Sequence, residues 1–343
     1  MKIVKISYIA LILGIVLIFV QVESTLTSVI SLVVGLLIVA LLGEPMVEGL
    51  KEFGICYGFS DHVTGIISSL ASNLPEAVMT IFMVMSPHLK EVAILTVMLA
   101  STFNGVLLGL LIIMLTYKGG SIPLSKRVLR YDVEIMRVAI AFCMIIFGTG
   151  IILRTHNEGI VMLPKEIPLF LLVAYIGYMF FVSKGEERKK IIEATKSWVL
   201  PVVIGLIGVL VSAELISGSS EFLVKTFDLH LVIAATVIGF ASSVPEHSIA
   251  LIGARRGHVE LGVSNLLSGI IQSIMLIFPM LAMIVSVPLD GYVIYQFLAI
   301  AVTLWIVKKS IVDDHALTLD EGLSIMLIHI LGILLFDELS VLM

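Results

Sequence analysis

Charge is what this sequence is short of. Asp, Glu, Lys and Arg make up 14% of its 343 residues, against about 25% in a typical soluble domain. With 59% hydrophobic residues and a mean hydropathy of +1.14, the chain is not a water-soluble globule. Excess basic charge is missing too. The 21 Lys and Arg face 26 Asp and Glu, which excludes a nucleic-acid binder of the usual basic kind. Cysteine is nearly absent: Cys56 falls in a short loop and Cys143 in an apolar run, so no disulfide framework is indicated. No H-E-x-x-H signature occurs and no nucleophile stands beside an obvious base, which argues against an intramembrane enzyme. The class that remains is a polytopic membrane protein moving something small.

What the sequence has in quantity is long apolar runs. Stretches able to span a bilayer fall at 4–21, 26–50, 61–86, 91–117, 132–153, 166–183, 197–224, 229–254, 258–286, 289–307 and 320–336. All eleven are expected to be helices, because lipid offers no partner to an unpaired backbone group. The first follows Lys2 and Lys5, but Gln21, Val22, Glu23 and Ser24 offer no small-residue cleavage site, so it reads as a helix rather than a signal peptide. Sixteen Lys and Arg fall on one set of span ends and four on the other, with Arg137 inside a span. Basic residues favour the inner face. The N-terminus is therefore expected in the cytoplasm and, after eleven crossings of the cell membrane, the C-terminus outside.

The chain also repeats itself. ASNLPE at 71–76 returns as ASSVPE at 241–246, and the offset of 170 between Glu76 and Glu246 also joins Glu44 to Glu214. Five spans per half is an odd number, so the halves have opposite orientation. The expected organisation is an extra helix at 1–25, a five-helix repeat at 26–183, a cytoplasmic linker at 184–196 and an inverted five-helix repeat at 197–343. Inverted repeats are characteristic of secondary transporters, which bind substrate near the midplane on broken helices of both halves.

Each motif sets a proline before a glutamate inside an apolar span. Pro75 and Pro245 cannot donate to the carbonyls of Ala71 and Ala241, which leaves two bare oxygens at carboxylate depth. Helical periodicity adds Ser72 and Asn73 to the Glu76 face, and Ser242 and Ser243 to that of Glu246. Thr80 extends the first face. The next spans contribute Ser101, Thr102 and Asn104 in one half, and Ser268 and Gln272 in the other. Two carboxylates among neutral oxygens suit a hard cation such as Ca2+. Ionisable groups within spans are rare and functional by default. Glu44 and Glu214 are read either as interfacial groups or as a cation relay. His247, about 100° around the helix from Glu246, is either a proton relay or a packing histidine. His62, His88, His156, His230, His258 and His315 fall in loops or at span ends and are read as solvated.

The duplicated motif resembles the alpha-repeats of the cation/Ca2+ antiporter superfamily, whose Na+/Ca2+ exchangers carry G-T/N-S-x-P-E in both halves. That resemblance implies an all-helical exchanger with Glu76 and Glu246 as central Ca2+ ligands. Pro75 and Pro245 look like the Na+ branch. Asn73, His247 after Glu246, Gln272 in SGIIQ and the extra first helix look like the H+/Ca2+ branch. The leading glycine of both motifs is alanine here, and an acidic residue of some Na+ exchangers is Gln272.

The expected function is Ca2+ exchange for a monovalent cation, H+ ahead of Na+, with no organic cofactor. A Na+/Ca2+ exchanger, an exchanger of another cation on the same fold, and a channel are the competing readings. Two buried carboxylates are costly unless neutralised. One Ca2+, two H+ or two Na+ each neutralise them, which favours obligatory exchange over leak.

Overall fold

The computed structural model describes residues 2–20, 24–58, 70–71, 73–86, 88–118, 120–124, 130–156, 159, 161–184, 197–227, 233–239 and 259–339. Helices account for nearly all of them: α1 (Lys2–Phe19), α2 (Thr25–Cys56), α3 (Leu74–Met85), α4 (Lys90–Thr116), α5 (Arg130–His156), α6 (Glu166–Lys184) and α7 (Val199–Phe227). A short helix at 233–239 (α8) follows. Then come α9 (Val259–Gln272), α10 (Phe278–Ile284), α11 (Gly291–Lys309), α12 (Leu319–Leu334) and α13 (Phe336–Leu339). Two-residue strands β1 (Ile122–Pro123) and β2 (Ala316–Leu317) are the exception. Six helical stretches among the described residues are long and apolar enough to cross a membrane, and three shorter apolar ones accompany them. The protein is an all-helical polytopic membrane protein, as the apolar runs require.

Two compact units divide it, and each takes elements from both halves of the sequence: Met1–Thr96 with Ile176–Glu246, and Val97–Tyr175 with His247–Met343. In the first unit α2 lies along α7, with α1 and α3 packed against the pair. The two run antiparallel: Gly35 near the start of α2 meets Ile216, and Gly49 near its end meets Val202 and the carbonyl of Trp198. Antiparallel pairing of each repeat's first helix is what an inverted repeat demands. Lipid is as apolar as leucine, so close backbone approach and dispersion hold such helices together. A Cβ on Gly35 would stand 2.9 Å from Ile216 Cγ1, and one on Gly49 2.9 Å from Val202 Cγ2. Gly35→Leu should therefore lower the melting temperature in detergent, at a cost of about 1–3 kcal/mol for overpacking. An unchanged melting curve would mean that the two helices are not in contact there.

The extra helix α1 has a task at Pro45. Proline inside α2 leaves the carbonyl of Leu41 without its helical donor. The buried Ser7 hydroxyl of α1 approaches that oxygen at 3.5 Å. At its other end α2 runs past the expected span and takes in Cys56, which the sequence placed in a loop. The extension is held by rings. Phe53 stacks against Tyr57 and Trp198 at 4.6 and 4.8 Å between centroids, an arrangement favoured at a membrane interface. Gly58, at φ +70, then ends the helix in the left-handed conformation that glycine adopts freely.

In the second unit α11 packs against α5, α12 and α10, with Phe278 against Phe297 and Tyr292 against Phe336. Asp290 caps α11 by accepting from the Val293 N–H at 2.8 Å. Thr318 and Glu321 form a reciprocal capping box at the start of α12. Two small clasps tie loops of the two sequence halves. β1 pairs antiparallel with β2. In the other clasp Met162 bridges Pro288, flanked by backbone bonds from Leu163 N to Val287 O and from Leu289 N to Val161 O, each 2.8 Å. Lys165 secures this second clasp by donating to the carbonyls of Ala282 and Val285.

Candidate functional site

The first motif does not sit in an unbroken span. Residues 70–71 are helical, Asn73 occupies the N-cap, and α3 starts afresh at Leu74 with Pro75 in its first turn. Proline is tolerated there because the N–H it lacks would have no helical partner. Glu76 consequently lies in the first turn of a helix, where the positive end of the macrodipole favours a carboxylate. It is 3% exposed, as are Asn73 and Ala71. Ala71 packs with Met46 of α2 and Val209 of α7. The Thr80 hydroxyl donates to the carbonyls of Glu76 and Ala77, at 2.9 and 3.0 Å, so only its lone pairs remain available to a ligand.

A small pocket opens on this carboxylate, lined by Leu36 and Val39 of α2, Pro75, Glu76 and Met79 of α3, and Ser212 and Ile216 of α7. The Ser212 hydroxyl donates to the Val209 carbonyl at 2.9 Å, which turns its oxygen lone pairs into an acceptor beside Glu76. No sequence motif marked Ser212. Only the packing of α7 on α3 brings it to the site. An apolar pocket holding one carboxylate and hydroxyl oxygens is suited to a desolvated cation.

In the second unit the expected polar residues fall in two places. Gln272 ends α9 and its Nε2 donates to Ser268 Oγ at 3.2 Å, the contact that their spacing of four implies. Directly after Gln272 the helix widens into a π-turn over Ser273–Ile277. Such turns occur often at functional sites. Asn104 is fully buried on α4, with neither amide atom hydrogen-bonded among the described residues. Thr102 is otherwise engaged: its hydroxyl donates to Gln296 Oε1 of α11 at 2.7 Å.

Ser72, Ala241, Ser242, Ser243, Glu246 and His247 lie outside the described residues. Glu44 belongs to α2, and its side chain is likewise outside the description. Glu214 is exposed on α7. Two positions from Ser212, it points about 200° away from the pocket side of the helix, so it does not join Glu76. His329 was missed. Its imidazole, set in the apolar run IMLIHILGIL, is fully buried, and that isolation was the available signal.

Residues 27–184 and 197–336 match the family described as Sodium/calcium exchanger protein. Over 140 residues the chain is 24% identical to the inner membrane protein YrbG of Escherichia coli (strain K12), a stretch covering 40% of this chain and 43% of that protein. The fold resembles that of the H+/Ca2+ exchanger CAX, with TM-score 0.74 and 17% identity over 97% of this chain and 87% of the other. It also resembles the sodium-calcium exchanger NCX_Mj, with TM-score 0.63 and 20% identity over 91% and 99% of the two chains.

Proposed function

Because this chain belongs to the sodium/calcium exchanger family, a family of membrane transporters rather than enzymes, we propose that it exchanges Ca2+ for a monovalent cation by alternating access. The observation that carries this reading is Glu76: a carboxylate 3% exposed, at the start of a broken helix, in an apolar pocket. An ionised carboxylate taken out of water in this way costs several kcal/mol. It is tolerated when a cation or a proton neutralises it. Glu246 is its counterpart in the second repeat, with Ser72, Asn73, Ser242, Ser243 and the carbonyls of Ala71 and Ala241 supplying neutral oxygens. Asn104, Ser268 and Gln272 complete the set. One Ca2+ balances two carboxylates, and so do two monovalent ions, which makes the empty site the unfavourable one to carry across.

H+ stands ahead of Na+ as the counter-ion. His247 beside Glu246, the neutral Gln272 and the extra helix α1 support it. The solved folds it resembles include exchangers of each kind, so the fold leaves this choice to the site residues. Glu44 and Glu214 are assigned to cation access outside the central ligand set. The N-terminus is placed in the cytoplasm and the C-terminus outside, on the charge asymmetry of the loops.

Purified protein in liposomes tests the counter-ion, with 45Ca2+ uptake measured under a pH gradient alone and a Na+ gradient alone. The expected result is uptake driven by the pH gradient. Stimulation by Na+ alone would reverse the choice of counter-ion, and uptake without either gradient would point to a channel.

A further inference from the structure

A second group of buried polar side chains lies in the unit of α4, α11 and α12, away from the carboxylate motif. Tyr292, Gln296 and Thr303 are spaced four and seven apart, which puts them along one face of α11. All three are fully buried, as are Thr102 of α4 and His329 of α12. Thr303 and His329 Nε2 are hydrogen-bonded at 2.9 Å, and Thr102 bonds Gln296 as described. The row from residue 292 to residue 303 covers about 16 Å along the helix, roughly half the hydrocarbon thickness of a bilayer.

Two features distinguish this row from ordinary helix packing. Glycines make the room for it. A side chain on Gly105 would coincide with the His329 ring, and one on Gly332 would stand 2.9 Å from Gln296 Nε2. The polar atoms are also left over. The Tyr292 hydroxyl, Gln296 Nε2, His329 Nδ1 and both amide atoms of Asn104 are buried without a hydrogen bond among the described residues. The Tyr292 hydroxyl nevertheless lies close enough to Thr102 and Gln296 to interact with both. Buried polar groups left unpaired cost about 1–3 kcal/mol each, and ordered water is the usual remedy where several converge.

We propose that this seam is a hydrated chamber carrying protons between the Asp290 end of α11 and the turn of α4 that bears Asn104, a route that meets the proposed cation site only at Asn104. It rests on the H+ reading above. A proton entering at one oxygen forms an O–H bond there while the O–H bond on the far side breaks, so each water or hydroxyl returns to neutral and nothing is consumed. The titratable groups along the seam are Asp290, Tyr292, Tyr295 and His329. Asp290 is held by the Val293 N–H and the Tyr295 hydroxyl by the Ile328 carbonyl. From α4, Thr102 and Gly105 bring no titratable group.

Tyr292→Phe is the decisive variant, because it removes only the buried hydroxyl and keeps the ring against Phe336. In liposomes it should slow Ca2+ uptake driven by a pH gradient by roughly tenfold or more. Exchange of 45Ca2+ for unlabelled Ca2+, which needs no proton, should stay within about twofold of the unmodified protein. Radiolytic hydroxyl labelling of the intact protein should also mark Tyr292, as bound water beside it requires. Full pH-driven uptake in Tyr292→Phe, equal loss of both fluxes, or an unlabelled Tyr292 would each overturn the chamber. Absence of pH-driven uptake in the unmodified protein is a separate result: it removes the H+ reading and the chamber with it.

Discussion

Glu76→Gln is expected to abolish gradient-driven Ca2+ uptake while leaving the protein folded. Glutamine keeps the shape of the side chain and an oxygen for the cation, but it brings no charge. Among the described residues the rest of the pocket lining is apolar apart from Ser212, so the divalent ion would lose one of the two carboxylates proposed to balance it. Removing one partner of a buried charge pair costs about 3–5 kcal/mol, which corresponds to a loss of roughly 100-fold or more in transport at limiting Ca2+. Stability should move little or rise, since the empty site no longer buries a carboxylate. Melting curves and size-exclusion profiles of the same preparation separate the two effects. Glu76→Asp, which keeps the charge and withdraws it by one methylene, should retain part of the flux. Unimpaired uptake by Glu76→Gln would remove Glu76 from the ion path.

The largest effect on folding is expected in the second unit. A Cβ on Gly109 would lie 2.7 Å from the carbonyl oxygen of Gly322 and 2.8 Å from the backbone nitrogen of Met326. Both obstacles are main chain on α12, which cannot turn aside as a flexible side chain would. Gly109→Leu must push the helices apart, and that separates Gly105 from the ring of His329 one turn away. A cost of about 3 kcal/mol or more follows, a large share of any membrane domain's stability, so little monodisperse protein should be recovered. Gly148→Ala and Gly177→Ala are the controls. Among the described residues neither added Cβ meets an atom of another element within 4 Å, and alanine is the better helix former. Those variants should match or exceed the parent in yield. Normal yield of Gly109→Leu would show that α4 and α12 are not in backbone contact.

These contrasts mark what an amino-acid string discloses and what it withholds. Spans were legible because an apolar run of sufficient length has one stable form in lipid. A duplicated motif was legible in ASNLPE and ASSVPE, and α2 and α7, the first helices of the two expected repeats, run antiparallel. That Glu76 would be buried followed from the company it keeps. Partnerships across helices were not legible, since they depend on the register of neighbours far away in the chain. Thr102, grouped with Asn104 by proximity in sequence, turns to Gln296, which is 194 residues distant. Ser212 reaches the Glu76 pocket although its own segment has no motif. The repeat offset pairs Glu214 with Glu44, but only the packed helix reveals that Glu214 faces away from Ser212. His329 shows the cost of following motifs: a single imidazole in an apolar run deserved the same suspicion as the glutamates.

The clasps have a bearing on synthesis. Ile122 pairs with Leu317, and Met162 with Pro288, so each loop of the first half finds its partner only after most of the second half has been made. The first repeat must therefore leave the ribosome and enter the membrane with these strands unpaired, waiting for a complement made much later. A nascent chain stalled before residue 288 would lack both complements, and quality-control proteases would meet it in that open form. Paired in this way, these loops of the two sequence halves mature together rather than one after the other.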